Sequence, residues 1–513
     1  MAPDGSAYTL PSRGSHQKEL ADLKSKAERH RDQGRQVVVV QGLGFVGSAV
    51  AVVVADATNS EGAPLYFVIG VDLPTPSSFW KVARLNNGEV PIGSSDPELL
   101  RLTHKAVHET GNLLATSSEE AYSLADIIVV DVPLDVRDRT AFAPAEIDLN
   151  LGGFEAAIQT VGRFMRPDAL ILVETTVPIG VTERVILPIL QKERSERGIN
   201  GPVHLAHSYE RVMPGSSYVN SIRRYWRTFA AIDQTSAAKA RRFLTSFIDT
   251  DEYPLTQLEE IKASELAKLL ENSYRAVNIA LIYEWTLLAE EVGVNLFDII
   301  DSIRVRKGTH DNIRFPGFGV GGYCLSKDSL LAQWASTSLL GSDVVLGMTL
   351  DAMKINYRMP LHTLDLLAEL SVDGLAGKTI AVCGVSYLAE VADTRNSAAE
   401  LLVDALNDAG ANVVAHDPNA ELWPERPDVA FTQDLMKCLD RADGIVFGVP
   451  HGDYLDLQPQ ALSNLSSFPP FIVDAHNIIP DEKAQALHDA GCRLVGVGKG
   501  HWRKRGYQFR NQE

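Results

Sequence analysis

The sequence predicts an α/β protein: two doubly wound, parallel-sheet domains joined by a helical one. Three observations carry this expectation. From Gln36 the chain runs strand, glycine turn, helix, and then alternates short β-rich runs with helical stretches, the pattern of a parallel sheet. After Asp251 the texture turns helical, and ASELAKLLENSYRAVNIALIYEWTLLAEEVG keeps an apolar spacing of three to four over a length that can support an interface. Beyond Gly377 the strand–helix alternation resumes with TIAVCGVSY, a helix over Ala398–Ala409, NVVAHDP, GIVFGVP and FIVDAHN.

Taken in order, residues 1–35 are polar and charged and read as an extension outside the core, with one exposed helix over Gln17–Arg31. QVVVV is a buried-strand run, GLGFVG a glycine turn, and SAVAVVVADA the apolar helix behind it. YFVIGVD ends a second strand at Asp72, and ADIIVVDVP and ALILVETTVP are further strands. The expected boundaries are an extension at 1–35, a first α/β domain at 36–238, a central helical domain carrying a cysteine loop at 239–370, and a second α/β domain at 371–513.

Bulk properties narrow the classes. At 513 residues the chain exceeds one core, and a prior of roughly 150 residues per domain gives about three. No run approaches the roughly 20 consecutive apolar residues of a membrane span. MAPDGSAYTLPSRGSHQKEL lacks the basic-then-apolar order of a secretory signal, so the expected compartment is the cytoplasm, with no membrane partner. Cys324, Cys383, Cys438 and Cys492 are widely scattered. With no two at ligand spacing, no metal site is expected, and all four are expected to be reduced. A formal charge of −18 argues against nucleic acid as a partner, although a few cations in a cleft can still hold a small anion. The basic run Lys499–Arg505 reads as a solvated tail.

Gly42, Gly44 and Gly47 follow a strand and open a helix. The first permits a tight turn, the second lets the backbone approach a pyrophosphate, and the third lets helix and strand pack. The helix start supplies amide donors to the phosphates. Asp72 ends the next strand, placed to accept from an adenosine ribose, and its carboxylate would repel a 2′-phosphate. The expected cofactor is NAD, held by Gly42, Gly44, Phe45, Val46, Gly47 and Asp72 in a Rossmann-like domain.

A second glycine cluster, GFGVGGYCLSKD, surrounds Cys324, with Lys327 and Asp328 behind it. A cysteine presented in such a loop is read as a nucleophile, and Asp328 could position a water or keep a cationic neighbour charged. Lys268 and Asn272 project from one helix face, either as a functional pair or as an exposed helical one. Glu174-Thr-Thr-Val-Pro178 closes a strand, where doubly wound folds place their chemistry. Glu210-Arg-Val-Met-Pro-Gly215 sets an acid and a base beside a turn. Each of these two segments could equally be structural.

From about Gln36 to Gly500 the sequence resembles the UDP-glucose/GDP-mannose dehydrogenase family of nucleotide-sugar 6-dehydrogenases. The glycine fingerprint, ETTVPIG, YERVMPG, ELAKLLENSYRAVNIA, GFGVGGYCLSKD and GVSYLAEVADTRNS occur in family order. The resemblance implies two Rossmann-like domains joined by a central helical dimerisation domain, the C-terminal one binding the nucleotide sugar. It implies C6 oxidation from alcohol to acid with two NAD+, through a thiohemiacetal and then a thioester on Cys324. Lys268 and Asn272 would stabilise oxyanions, Thr176 and Asp328 would order the hydrolytic water, and Glu210 would do acid–base work. Thr176 would also lie near the cofactor, and Arg395 near the cofactor or the domain junction. Glu210, Arg211, Lys268, Asn272, Arg314, Gly321 and Lys327 would contact the substrate, and a homodimer or higher homo-oligomer is expected. The chain departs from the family's usual residues at Leu388, Tyr209 and Leu134-Asp135. The E-R-V-x-P-G loop resembles members acting on UDP-N-acetylhexosamines. The alternatives are UDP-glucose, and a catalytically altered member that binds nucleotide sugars.

Overall fold

The computed structural model describes residues 6–11, 13–213, 215–463 and 469–509. The chain divides into two compact units. One comprises Met1–Asp138, Ile147–Leu270 and Leu331–Val345; the other comprises Arg139–Glu146, Glu271–Leu330 and Leu346–Glu513.

The first unit holds an eight-stranded sheet of order β3-β2-β1-β4-β5-β6-β7-β8. Its strands are β1 (Gln36–Gln41), β2 (Tyr66–Val71), β3 (Leu113–Thr116), β4 (Ile127–Val130), β5 (Leu170–Val173), β6 (His204–His207), β7 (Thr228–Ala231) and β8 (Thr256–Gln257). Strands β1 to β6 run parallel, and β7 joins β6 antiparallel. Strands buried on both faces read as continuous apolar runs, which is why QVVVV and YFVIGV show no alternation. Behind β1, helix α2 (Phe45–Ala55) is buried at every residue from Gly47 onward, matching a sequence that is apolar all round.

The N-terminal segment departs from expectation. Helix α1 (Arg13–Asp32) is docked rather than exposed: Leu23 and Ala27 are buried. The His30 ring stacks on Phe67 at 4.3 Å, and Arg31 lies 3.4 Å from Asp126. The physical reason is in the topology. The link from β3 to β4 carries only a short 3₁₀ turn, Glu119–Leu124, and α1 packs on β1, β2 and this turn, covering sheet that a crossover helix would otherwise cover.

The second unit holds six parallel strands of order β11-β10-β9-β12-β13-β14. They are β9 (Thr379–Cys383), β10 (Asn412–His416), β11 (Ala430–Thr432), β12 (Gly444–Phe447), β13 (Phe471–Asp474) and β14 (Arg493–Gly496). The basic C-terminal run is not a solvated tail. Trp502 is fully buried, and Lys499 is buried with its Nζ 2.8 Å from Asp474 at the end of β13 and 4.3 Å from the Trp502 ring centre. Asp474 sits in the core and needs a countercharge, which Lys499 supplies.

Helix α3 (Ile261–Val292) is 32 residues long; its first part belongs to the first unit and the rest to the second. A shorter helix, α4 (Asp328–Trp334), starts just behind the cysteine loop. Among the described residues no helix is long and apolar enough to cross a membrane.

Candidate active site

In the first unit the glycine turn has three different constraints. Gly42 has φ +94°, and a Cβ there would come 2.7 Å from the Asp131 carbonyl oxygen. A Cβ on Gly47 would fall 1.9 Å from the Gly42 carbonyl oxygen. Gly44, by contrast, would meet no protein atom within 4 Å. It caps α2 without a side-chain hydrogen bond, so the helix start is shaped for an anion that approaches the backbone closely. Phe45 accepts a hydrogen bond from the Tyr218 hydroxyl through its carbonyl (2.6 Å), and Val46 packs against the core. Asp72 accepts from the Leu43 amide at 3.0 Å, which ties its carboxylate to the glycine turn; Lys81 also pairs with it at 3.0 Å. These residues fit a dinucleotide.

Beyond the ends of β4, β5 and β6 lies a buried charged group. Glu174 is paired with Arg227 at 2.6 Å. Burial pushes the Glu174 carboxyl up to about 7 despite that arginine. Asp131 follows β4, whose last residue Val130 pairs with Val173 beside Glu174. Burial and the neighbouring Glu174 push its carboxyl well above the carboxylate range. Sequence reasoning missed both Asp131 and Arg227. The signal for Asp131 was a charged residue set directly behind the wholly apolar IIVV.

The Thr175 hydroxyl donates to the Val132 carbonyl at 2.9 Å, and Thr176 beside it is half-buried. Glu265 of α3, also unforeseen, accepts from the amides of Gly180 (2.5 Å) and Thr182 (2.8 Å), fastening the ETTVPIG turn to the helix. Glu210 accepts from the Val212 amide through its carboxylate. Its carbonyl accepts from Lys268 Nζ at 3.0 Å. Arg211 donates to the Tyr209 hydroxyl (3.1 Å) and the Trp226 carbonyl (2.9 Å). Glu210, Arg211 and Lys268 are thus brought together around Tyr209.

In the second unit Cys324 is exposed. Its carbonyl accepts from the amides of Lys327 (3.1 Å) and Asp328 (2.9 Å) at the entry to α4. Asp328 is fully buried, with one oxygen accepting from Asn272 Nδ2 at 2.6 Å and the other from Lys327 Nζ at 2.8 Å. Lys327 is buried on Asp328 and lies 4.7 Å from the Tyr323 ring centre.

A Cβ on Gly321 would lie 2.8 Å from the Asn396 carbonyl oxygen and from Tyr387 Cβ, so its bare backbone serves the packing of the cysteine loop. Arg395 grips Asp393 through two bonds, at 2.8 and 2.7 Å. Arg314 is exposed. Leu388 is 47% exposed.

Comparison with known proteins decides the family. Residues 36–235 match the NAD binding domain of the UDP-glucose/GDP-mannose dehydrogenase family, residues 262–357 its central domain and residues 381–481 its UDP binding domain. The chain belongs to this family. It is accordingly an NAD-dependent oxidoreductase of the nucleotide-sugar dehydrogenase class.

A UDP-N-acetyl-D-mannosamine dehydrogenase from Methanococcus maripaludis is 27% identical over 478 residues, covering 93% of this chain and 100% of the relative. Its namesake from Pyrococcus horikoshii is 29% identical over 469 residues, covering 90% and 99%. The solved Pyrococcus horikoshii structure superposes with a TM-score of 0.75 at 27% identity, covering 91% of this chain and 100% of that one. An NDP-N-acetyl-D-galactosaminuronic acid dehydrogenase from Methanosarcina mazei gives 0.74 at 26%, covering 94% and 98%. The family segments begin at β1, so α1 lies upstream of them.

Proposed function

We propose that this dehydrogenase oxidises C6 of a UDP-N-acetylhexosamine, with UDP-N-acetylmannosamine the foremost candidate, from alcohol to acid through a thioester on Cys324. The observation that carries the reading is the contrast among four cysteines. Cys383, Cys438 and Cys492 are buried and Cys324 is exposed. Burial pushes the Cys492 thiol up to about 12 and the Cys383 thiol well above its ordinary value, and thiols so placed are inert. The sugar is supported by the names of the relatives above and by the E-R-V-x-P-G loop.

NAD, held by Gly42, Gly44, Phe45, Val46, Gly47 and Asp72, supplies the hydride acceptor for both oxidations. The Cys324 thiolate adds to the C6 aldehyde, and loss of a further electron pair and proton leaves the thioester. Water, ordered by Thr176, then releases the acid and restores the thiol. Lys268 and Asn272 hold the oxyanions, and Asp328 orients Asn272 through its 2.6 Å bond. Glu210 handles the proton. Arg211 and Arg314 offer charge to the substrate phosphates. Dimerisation through α3 is supported by its exposed Tyr274, Leu281, Leu287, Leu288 and Val292.

NADH formation across a panel of UDP- and GDP-sugars tests the assignment. A UDP-N-acetylhexosamine should give the highest kcat/KM. Preference for UDP-glucose would overturn the sugar, and calorimetric binding of UDP-sugars with no NADH from any would overturn catalysis.

A further inference from the structure

Tyr209 is one of the largest fully enclosed side chains of the molecule, 2% exposed, yet it is ringed by cations. Lys268 Nζ lies 5.5 Å from its ring centre, and the Arg211 guanidinium lies 5.4 Å from the same centre. The Tyr209 hydroxyl accepts from Arg211 at 3.1 Å, and its backbone carbonyl accepts from Arg227 Nε at 3.4 Å. Arg211 is sandwiched further by Tyr225, at 5.5 Å.

A buried ammonium held against an aromatic face is stabilised by the ring quadrupole, and more so when water is excluded. Lys268 Nζ also donates to the Glu210 carbonyl (3.0 Å), so ring and carbonyl both bear on the same ammonium. One residue therefore touches two groups with different jobs.

We propose that Tyr209 is a positioning residue, its ring setting Lys268 for the chemical steps and its hydroxyl setting Arg211 for the nucleotide sugar. The proposal rests on the roles given to Lys268 and Arg211 above. The hydroxyl can be removed alone or together with the ring, and each change has its own kinetic signature.

Tyr209→Phe keeps the ring, so kcat should stay near that of the parent while KM for the UDP-sugar rises roughly threefold to tenfold. Tyr209→Leu removes both, and kcat should fall about ten- to thirtyfold in addition. In a Lys268→Ala background, Tyr209→Leu should cost no further kcat. Unchanged thermal unfolding and NAD affinity establish that each variant is folded. A kcat in Tyr209→Phe as low as in Tyr209→Leu, or full additivity with Lys268→Ala, would overturn the proposal while leaving the role of Lys268 standing. An unchanged kcat in Lys268→Ala alone would instead overturn that role, and the kcat half of the proposal with it.

Discussion

The two sheets put the same parts in the same places and use them differently. After β1 comes a glycine turn with Gly44 facing open space, and Asp72 after β2 anchors that turn through one amide, Leu43. After β9 comes Gly384, which matches Gly42 in its positive φ (+96° against +94°) and its crowding; the place of Gly44, two residues further on, is taken by Ser386, and Asp417 after β10 is fully buried. Asp417 accepts from the amides of Val385 (3.1 Å), Ser386 (2.9 Å), Asn419 (3.0 Å) and Ala420 (3.2 Å), and from the Ser386 hydroxyl (2.6 Å). Burial opposes its charge, but His451 and the Ser386 donors hold the Asp417 carboxyl down at about 2. Asp72 is held as well, by the Leu43 and Leu73 amides and Lys81, so the difference lies in the turn: the first sheet leaves Gly44 open, and the second puts Ser386 there and bonds its hydroxyl to the aspartate. Strand order alone does not tell an open turn from a closed one. Side chains such as Ser386 and His451 do.

Substitutions at Gly384 and at Gly44 should separate the crowded turn position that both sheets share from the open one. Gly384→Ala places a methyl at φ +96° against Val449 and should cost about 2 kcal/mol or more of unfolding free energy. Gly44→Ala, with φ −83° and nothing nearby, should leave unfolding within about 0.5 kcal/mol and weaken NAD binding tenfold or more. Urea titration and NAD calorimetry separate the two. Equal stability losses, or intact NAD affinity in Gly44→Ala, would contradict it.

A smaller effect distinguishes the charges. Asp417 has a lowered folded pKa, so its stabilisation is present above the unfolded carboxylate value and is lost as pH falls towards about 2. Glu174 and Asp131 have raised folded values, so the stability tied to their protonated forms is lost as pH rises, through about 7 for Glu174. Asp131→Asn mimics the protonated form. It should lessen the loss of unfolding free energy that accompanies rising pH. An unchanged pH slope would show that the carboxyl group is not carrying that proton.

Much of this was legible from the residues. Uninterrupted apolar runs gave the parallel strands, and Gly42, Gly44 and Gly47 marked the cofactor turn because each glycine meets a different constraint. The cysteine loop was equally plain, but the partners of Asp328 were not, since neighbours in space such as Asn272 come from a distant helix. Helix α1 hid its docking because, among its described side chains, only Leu23 and Ala27 are buried to core level in a stripe otherwise lined with Lys, Glu and Arg. The run around Lys499 looked like a tail because its charge masked Trp502 and the buried Asp474 awaiting it. Tyr209 carried no sequence signal of its two cations.

The most direct test of the central claim counts NADH against sugar in the parent enzyme and in Cys324→Ala, with the UDP-N-acetylhexosamine turned over fastest. The exposed thiol as thioester carrier requires two NADH and one uronic acid per sugar in the parent, and loss of acid formation in the variant. One NADH per sugar with free aldehyde released by the parent, or unchanged acid output from Cys324→Ala, would contradict it.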